Sequence, residues 1–165
     1  MKHFKAIAAM SLNRVIGNGN QIPWHLPEDF KWFKKMTTNQ IVIMGSTTWR
    51  SLGCKPLPNR INIVLSRTHD YSGDGAADHT FSDPDTALVF CENEYPDKEI
   101  FIIGGDVVYR TYIDIVDRFY VTEIYADYQC DTFFDLKYVK EHFTNVTEHA
   151  TFNEPLTYTI KEYNL

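Results

Sequence analysis

The stretch Ile102-Ile103-Gly104-Gly105-Asp106-Val107-Val108-Tyr109 reads as the end of an apolar strand that runs into a glycine pair and then into a helix. Such a junction aims the first backbone N–H groups of a helix past the end of the strand, where an anion can lie. The spacing is not that of a GxGxxG fingerprint, and a glycine pair alone more often marks a tight turn. Gly45-Ser46-Thr47-Thr48-Trp49 repeats the arrangement after another apolar run. Two strand-to-helix junctions on one sheet favour a dinucleotide, whose phosphates need two cradles.

Working outward, short runs rich in Ile, Val and Phe recur at Phe4 to Met10, Ile41 to Met44, Ile61 to Leu65, Ile100 to Ile103 and Arg118 to Tyr125. The middle runs are almost continuously apolar, as parallel strands covered on both faces are, and the spacers between them can hold helices. An α/β sheet follows. Pro27 to Met36 reads as a helix, with Pro and acids in its first turn and lysines toward its end, in accord with the macrodipole. Thr47 to Leu52, Asp85 to Phe90 and Asp106 to Ile113 are the other helix candidates. Thr68 to His79 reads as a solvated loop, and Phe143 to Tyr163 as a terminal antiparallel hairpin turning at Asn153-Glu154-Pro155.

At 165 residues the chain is expected to be one domain, and 44% hydrophobic with 23% charged residues is ordinary for a globular protein. No apolar run approaches the roughly 20 residues of a membrane span. Ser11, Asn13 and Arg14 interrupt the N-terminal apolar run before a secretory core forms, so the chain is expected in the cytoplasm. Three widely spaced cysteines, Cys54, Cys91 and Cys130, fit neither a disulfide framework nor a CxxC metal motif and are expected to be thiols. Sixteen Lys plus Arg against 22 Asp plus Glu give a net charge of -6, which argues against nucleic acid as a partner. Any anionic ligand must be held by local groups.

Leu12 to Trp24 follows the first strand with two glycines, several amide side chains including Asn20, and the Pro23-Trp24 pair, a composition suited to a lid. Asp29 sits in a first helical turn among Trp24, Leu26, Phe30, Trp32 and Phe33. A first-turn acid is usually a solvated dipole partner, but aromatic surroundings would desolvate this one and raise its pKa. A flat ring bearing an amidine could then offer the carboxylate a matched pair of donors. Spacing alone leaves the two readings open.

Ala8-Ala9, Asn13-Arg14-Val15-Ile16-Gly17, Pro23-Trp24-His25-Leu26-Pro27-Glu28-Asp29, Trp32-Phe33-Lys34, Ile43-Met44-Gly45, Thr48-Trp49, Pro56-Leu57-Pro58-Asn59-Arg60, Ile103-Gly104-Gly105 with Tyr109, Tyr120-Val121-Thr122 and Asp131-Thr132 follow one another in an order and spacing that are specific as a set. The chain resembles the bacterial chromosomal-type dihydrofolate reductases over nearly its whole length. The resemblance implies a mostly parallel eight-stranded sheet with an antiparallel C-terminal strand and about four flanking helices, in a single domain spanning 1–165. An adenosine-binding subdomain would occupy about 41–97. It implies a monomer that passes a hydride from NADPH to C6 of dihydrofolate while N5 is protonated. Antifolates of the diaminopyrimidine and pteridine types would compete for the site, with no membrane or metal involved.

By the same resemblance, Asp29 would grip the pterin's exocyclic amine and adjacent ring nitrogen, Thr122 would tie the carboxylate to that amine, and Trp24 would belong to the lid that admits the proton-donating water. Ile7, Phe30, Phe33, Leu52, Leu57 and Ile103 would wall the pterin and the aminobenzoyl ring, with Tyr109 beside them. Arg60 would take the glutamate α-carboxylate in a bidentate pair, and Lys34 would lie near the same tail. Ala9, Ile16 and Asn20 would flank the nicotinamide, with Ile103 and Tyr109 close by. Gly45, Ser46, Thr47, Thr48, Gly104, Gly105, Asp106, Val107 and Val108 would hold the pyrophosphate, the Gly104–Gly105 bond being cis. Leu65, Ser66, Arg67 and Asp131 would complete the cofactor site.

Two departures stand out. The residue after Gly45 is usually basic in these enzymes and meets the 2'-phosphate, whereas here it is Ser46; Arg67 would supply the missing charge, with the hydroxyls of Ser46, Thr47 and Ser66 as further donors. Cys54-Lys55 lengthens the approach to Pro56 by one residue. Two other readings share the fold: a pyrimidine reductase of riboflavin synthesis, which has no need of the segment Trp24 to Asp29, and a non-catalytic nucleotide-binding module, which would be expected to lose Asp29 or the glycine pair.

Overall fold

The computed structural model describes residues 4–11, 15–17, 25–126, 132–133 and 136–165. Within them the chain forms β1 (Phe4–Ser11), β2 (Val15–Gly17), α1 (Pro27–Thr37), β3 (Ile41–Gly45), α2 (Ser46–Ser51), β4 (Ile61–Leu65), β5 (His79–Phe81), α3 (Pro84–Glu94), β6 (Ile100–Ile102), α4 (Asp106–Tyr112), β7 (Arg118–Ile124), β8 (Thr132–Phe133), α5 (Leu136–His142), β9 (Asn145–Phe152) and β10 (Tyr158–Asn164). Eight strands make one sheet in the order β5-β4-β3-β6-β1-β7-β10-β9. β5 through β7 pair in parallel, and β10 is antiparallel to both its neighbours.

The near-continuous apolar runs become the central strands because both faces are covered. Side chains alternate across the sheet. Ala6, Ala8, Met10, Ile41, Ile43 and Ile63 face a core completed by Leu88 and Cys91 of α3, Val108, Tyr109 and Tyr112 of α4, and Val139 of α5. Ile7, Val42, Met44, Val64 and Phe101 face the other way, toward Trp32, Phe33 and Met36 of α1 and Trp49 of α2.

The strand order places the site. From β1 the chain steps past one position to β3 and builds outward through β4 to β5. It then returns as β6 between β3 and β1, and crosses to β7 on the far side of β1. Connections therefore leave the middle of the sheet in opposite directions, opening a crevice beyond the carboxyl ends of β1, β3 and β6, where open α/β sheets bind ligands.

Four expectations are corrected. Five helices are present among the described residues rather than about four, since α5 covers the sheet with Val139 and is followed by the buried Phe143. β5 begins at His79, where the sequence suggests only loop, because the edge position asks for three residues paired to β4. β2 and β8 form a separate two-stranded ribbon absent from the sequence reading. α3 starts one residue earlier and runs four longer than expected. Its N-cap Asp83 accepts hydrogen bonds from the backbone N–H (2.8 Å) and hydroxyl (2.7 Å) of Thr86, with Pro84 in the first helical position. The terminal hairpin turns where expected, with a cis Glu154–Pro155 bond. No helix of the described residues is long and apolar enough to cross a membrane.

Candidate active site

Pro27, free of an N–H to satisfy, opens α1 and places Asp29 in its first turn, facing the middle of β7. There Thr122, which pairs with Ala9 of β1 and Ile160 of β10, donates its hydroxyl to Asp29 Oδ1 at 2.5 Å. Burial raises the Asp29 pKa above the ordinary carboxylate value, and the Thr122 hydrogen bond opposes that shift. Two residues 93 positions apart thus make one half-buried acid with a donor fixed on it.

Beside this pair, Phe33, Leu52, Leu57 and Ile103 pack half-buried around a core that contains Ile7. They give the crevice an apolar wall. Phe30 is 43% exposed and leans on His25, with ring centroids 5.3 Å apart, so it is a rim residue rather than core. Lys34 is exposed. Arg60 lies at the outer end of the same wall: its Nε donates to the Pro58 carbonyl at 2.9 Å, Nη1 donates to Thr37 Oγ1 at 3.0 Å, and the guanidinium stands 5.8 Å from the Phe33 ring centre.

Across the crevice, the two strand-to-helix junctions predicted from the glycines meet. Gly45 N–H donates to the Gly104 carbonyl at 2.8 Å, and the Gly104–Gly105 bond is cis. α2 and α4 begin at Gly45 and Gly105, neither with a side-chain cap, so their first N–H groups are left for a ligand. A Cβ on Gly45 would lie 3.1 Å from Val108 Cγ2. At Gly104, with φ of +128°, it would lie 3.2 Å from Thr48 Oγ1. Bare backbone, two uncapped helix starts and the hydroxyls of Ser46, Thr47 and Thr48 fit the phosphates of a dinucleotide. Asp106 is tied to Arg110 at 2.6 Å, Val107 is exposed and Val108 is buried. Tyr109 is fully enclosed and donates to the Ile7 carbonyl at 2.8 Å, with its pKa driven far above the usual phenol range by burial.

Leu65 ends β4, and Ser66, Arg67, Thr68, His69 and Asp70 line an open cleft with Thr80 and Ser82. Ser66 Oγ accepts from the backbone N–H of Thr68 and His69, at 3.3 and 3.2 Å, which shapes the turn that carries Arg67. Ala9 lies on β1 and Ile16 on β2. Trp24, Asn20 and Asp131 fall outside the described residues. Sequence reasoning overlooked Thr37, Asn62, Arg50 and His69. Asn62 was visible in principle, as the one amide in the apolar run Ile61 to Leu65. Its side chain accepts from Leu57 N–H at 2.8 Å and donates to the carbonyls of Leu57 (2.9 Å) and Arg60 (3.0 Å). Arg50 reaches Thr47 Oγ1 and the Tyr71 hydroxyl at 3.5 and 3.4 Å, and His69 stacks on Tyr71.

A family model described as dihydrofolate reductase matches residues 3–165. The dihydrofolate reductase of Neisseria gonorrhoeae is 38% identical over 159 residues, covering 95% of this chain and 94% of that protein. That of Haemophilus influenzae is 41% identical over 131 residues, covering 79% and 78%. A solved structure of dihydrofolate reductase from Enterococcus faecalis, complexed with NADP(H) and RAB-propyl, superposes with a TM-score of 0.80 at 28% identity, covering 98% of this chain and 95% of that one. A family model matched over nearly the whole length, with relatives 38% and 41% identical, shows that the chain belongs to the dihydrofolate reductase family.

Proposed function

We propose that this protein reduces 7,8-dihydrofolate to 5,6,7,8-tetrahydrofolate at the expense of NADPH, as a monomer in the cytoplasm. The observation that carries this reading is the Asp29–Thr122 pair, a half-buried carboxylate at the mouth of an apolar crevice. When bound, the cofactor supplies a hydride to pterin C6. Everything else is the work of the chain. Asp29 accepts two charge-assisted hydrogen bonds from the pterin's exocyclic amine and adjacent ring nitrogen, which orients the ring and favours its protonated form. Thr122 fixes the carboxylate by donating to Oδ1, and its hydroxyl oxygen remains free to accept from the same exocyclic amine.

Asp29 grips the edge of the pterin remote from N5, so it acts as an electrostatic partner and water delivers the proton. Ile7, Phe33, Leu52, Leu57 and Ile103 exclude bulk water from the ring faces and hold the aminobenzoyl group. Arg60 takes the glutamate α-carboxylate. Gly45, Ser46, Thr47 and Thr48 on one side and Gly104, Gly105 and the start of α4 on the other bind the pyrophosphate, and Arg67 with Ser66 meets the 2'-phosphate. Residues 41–97 form the adenosine-binding part of the single domain. Diaminopyrimidine and pteridine antifolates offer Asp29 the same paired donors as the pterin. Loss of reduced-nicotinamide absorbance on adding dihydrofolate to protein and NADPH tests the reading. No loss, with NADPH binding retained, would favour a non-catalytic nucleotide-binding module. Turnover only of a ribosylated pyrimidine would favour the riboflavin-pathway reductase.

A further inference from the structure

Arg60 is hydrogen-bonded to a residue that is not itself part of the crevice wall. Thr37 is completely buried at the last position of α1. Its hydroxyl proton is committed, because Oγ1 donates to the Phe33 carbonyl one turn back at 2.8 Å. The oxygen's lone pairs are therefore all it can offer Arg60, and Nη1 donates to it at 3.0 Å. On the other edge Nε donates to the Pro58 carbonyl at 2.9 Å. Asn62 in turn staples the loop carrying Arg60 to β4, through the carbonyls of Leu57 and Arg60 and the N–H of Leu57.

A guanidinium offers a carboxylate two bidentate edges, one formed by Nε with Nη2 and one by Nη1 with Nη2. Here Nε is already used. Thr37 takes one of the two Nη1 hydrogens, which leaves one on Nη1 beside the two on Nη2. We propose that Thr37 is a positioning residue for substrate selection. By holding Nη1 while Pro58 holds Nε, it presents the Nη1–Nη2 edge to the carboxylate of a substrate tail, so that the carboxylate docks end-on. This rests on the proposed reading that Arg60 receives the glutamate α-carboxylate, and it adds that a neutral hydroxyl at the end of α1 sets the geometry of that pair. Because both fixed partners are neutral, the guanidinium charge reaches the carboxylate uncompensated.

The test compares kcat and KM for dihydrofolate and for a 7,8-dihydropterin carrying only a small alkyl group at C6, in the parent, Thr37→Val, Thr37→Ser, Arg60→Leu and the double variant Thr37→Val/Arg60→Leu. Thr37→Val keeps the shape and removes the acceptor. It is expected to raise KM for dihydrofolate about tenfold with kcat unchanged, and to leave both constants for the tail-less pterin unchanged. Thr37→Ser restores KM to within about threefold of the parent, and Thr37→Val adds nothing in the Arg60→Leu background. If Thr37→Val does not fold, Thr37→Ala removes the same acceptor and carries the same expectations. A dihydrofolate KM unchanged on loss of the hydroxyl overturns the proposal, as does an equal change for both pterins or an undiminished effect in the Arg60→Leu background. If Arg60→Leu itself leaves the dihydrofolate KM unchanged, the assignment of Arg60 fails and Thr37 with it. If Arg60→Leu raises that KM while Thr37→Val does not, only the role of Thr37 fails.

Discussion

Replacing Asp29 by Asn separates the cost of a buried charge from its use. Burial lifts the pKa of Asp29 above its ordinary 3.8, with Thr122 pulling in the opposite direction. The folded protein therefore holds this proton to higher pH than the unfolded chain does. The stability the group contributes is complete below about pH 3.8 and is lost as pH rises through the elevated folded-state value. At neutral pH Asp29 is a burden on the free protein. Desolvation outweighs the opposing Thr122 hydrogen bond, so removing the charge favours the fold at neutral pH. Asn keeps the shape and still accepts from Thr122. Asp29→Asn is thus expected to raise the Tm of the ligand-free protein near neutral pH, by about 2 to 4 °C per kcal/mol for a domain of this size, with the gain shrinking toward about pH 4. Activity moves the other way. Losing one partner of a buried charged pair costs about 2 to 5 kcal/mol, a fall in kcat/KM of about thirtyfold to several thousandfold at neutral pH. Part of it returns in acid, where dihydrofolate arrives already protonated. Melting curves across pH and reduced-nicotinamide absorbance read the two effects. A Tm equal to or below the parent's at neutral pH would refute the burial argument, and a kcat/KM within a few-fold would refute the pterin contact.

Arg67→Ala is expected to lower the preference for NADPH over NADH, mainly through KM because the 2'-phosphate lies far from the reacting carbon, and added salt should have the same effect on the parent; kcat/KM for both cofactors measures it. An unchanged ratio would move the phosphate toward Arg50 and Thr47. Asn62→Leu removes three buried hydrogen bonds that fix the loop from Leu57 to Arg60. At about 0.5 to 1.5 kcal/mol each, the expected loss is on the order of 3 kcal/mol in thermal or denaturant unfolding, with a higher KM for dihydrofolate. Gly104→Ala places a Cβ at positive φ, 3.2 Å from Thr48 Oγ1, so cofactor affinity measured by fluorescence titration should fall even where the variant folds.

The parts of the fold that were legible in the sequence are those where one physical demand acts alone. Ile41 to Met44 and Ile61 to Leu65 are apolar throughout because both sheet faces are covered, and that demand shows in any window of five residues. Asn153-Glu154-Pro155 marks its turn because Pro and Asn reject the flanking strands. β5 and α5, three and seven residues long, were hidden because neither has a flanking glycine junction of the kind that marks α2 and α4. In the site, Asp29 stood out through its aromatic neighbours, but its partner Thr122 lies 93 residues away on a strand where Thr is unremarkable, and only resemblance to a family joined them. Thr37 was invisible for a related reason. A Thr closing a helix reads as a weak helix former, and its value lies in one lone pair aimed at an arginine in a distant loop.

The charge balance connects these pieces. A chain of net charge -6 repels both a dinucleotide and a folate tail at long range, so recognition depends on donors that its own carboxylates do not quench. Arg110 and Arg118 are paired with Asp106 and Glu162, and those charges are spent on the structure. Arg60 is placed differently: its fixed partners are a carbonyl and a hydroxyl, which orient the guanidinium without neutralising it. The phosphate side relies on backbone N–H groups at the uncapped starts of α2 and α4, donors that no side-chain titration can remove. Asp29, a half-buried carboxylate of the crevice, is held by a neutral hydroxyl. Asp29 and Arg60 thus each meet a neutral hydroxyl rather than an ion-pair partner among the described residues, and the site suits a molecule with an amidine-bearing ring at one end and a carboxylate at the other.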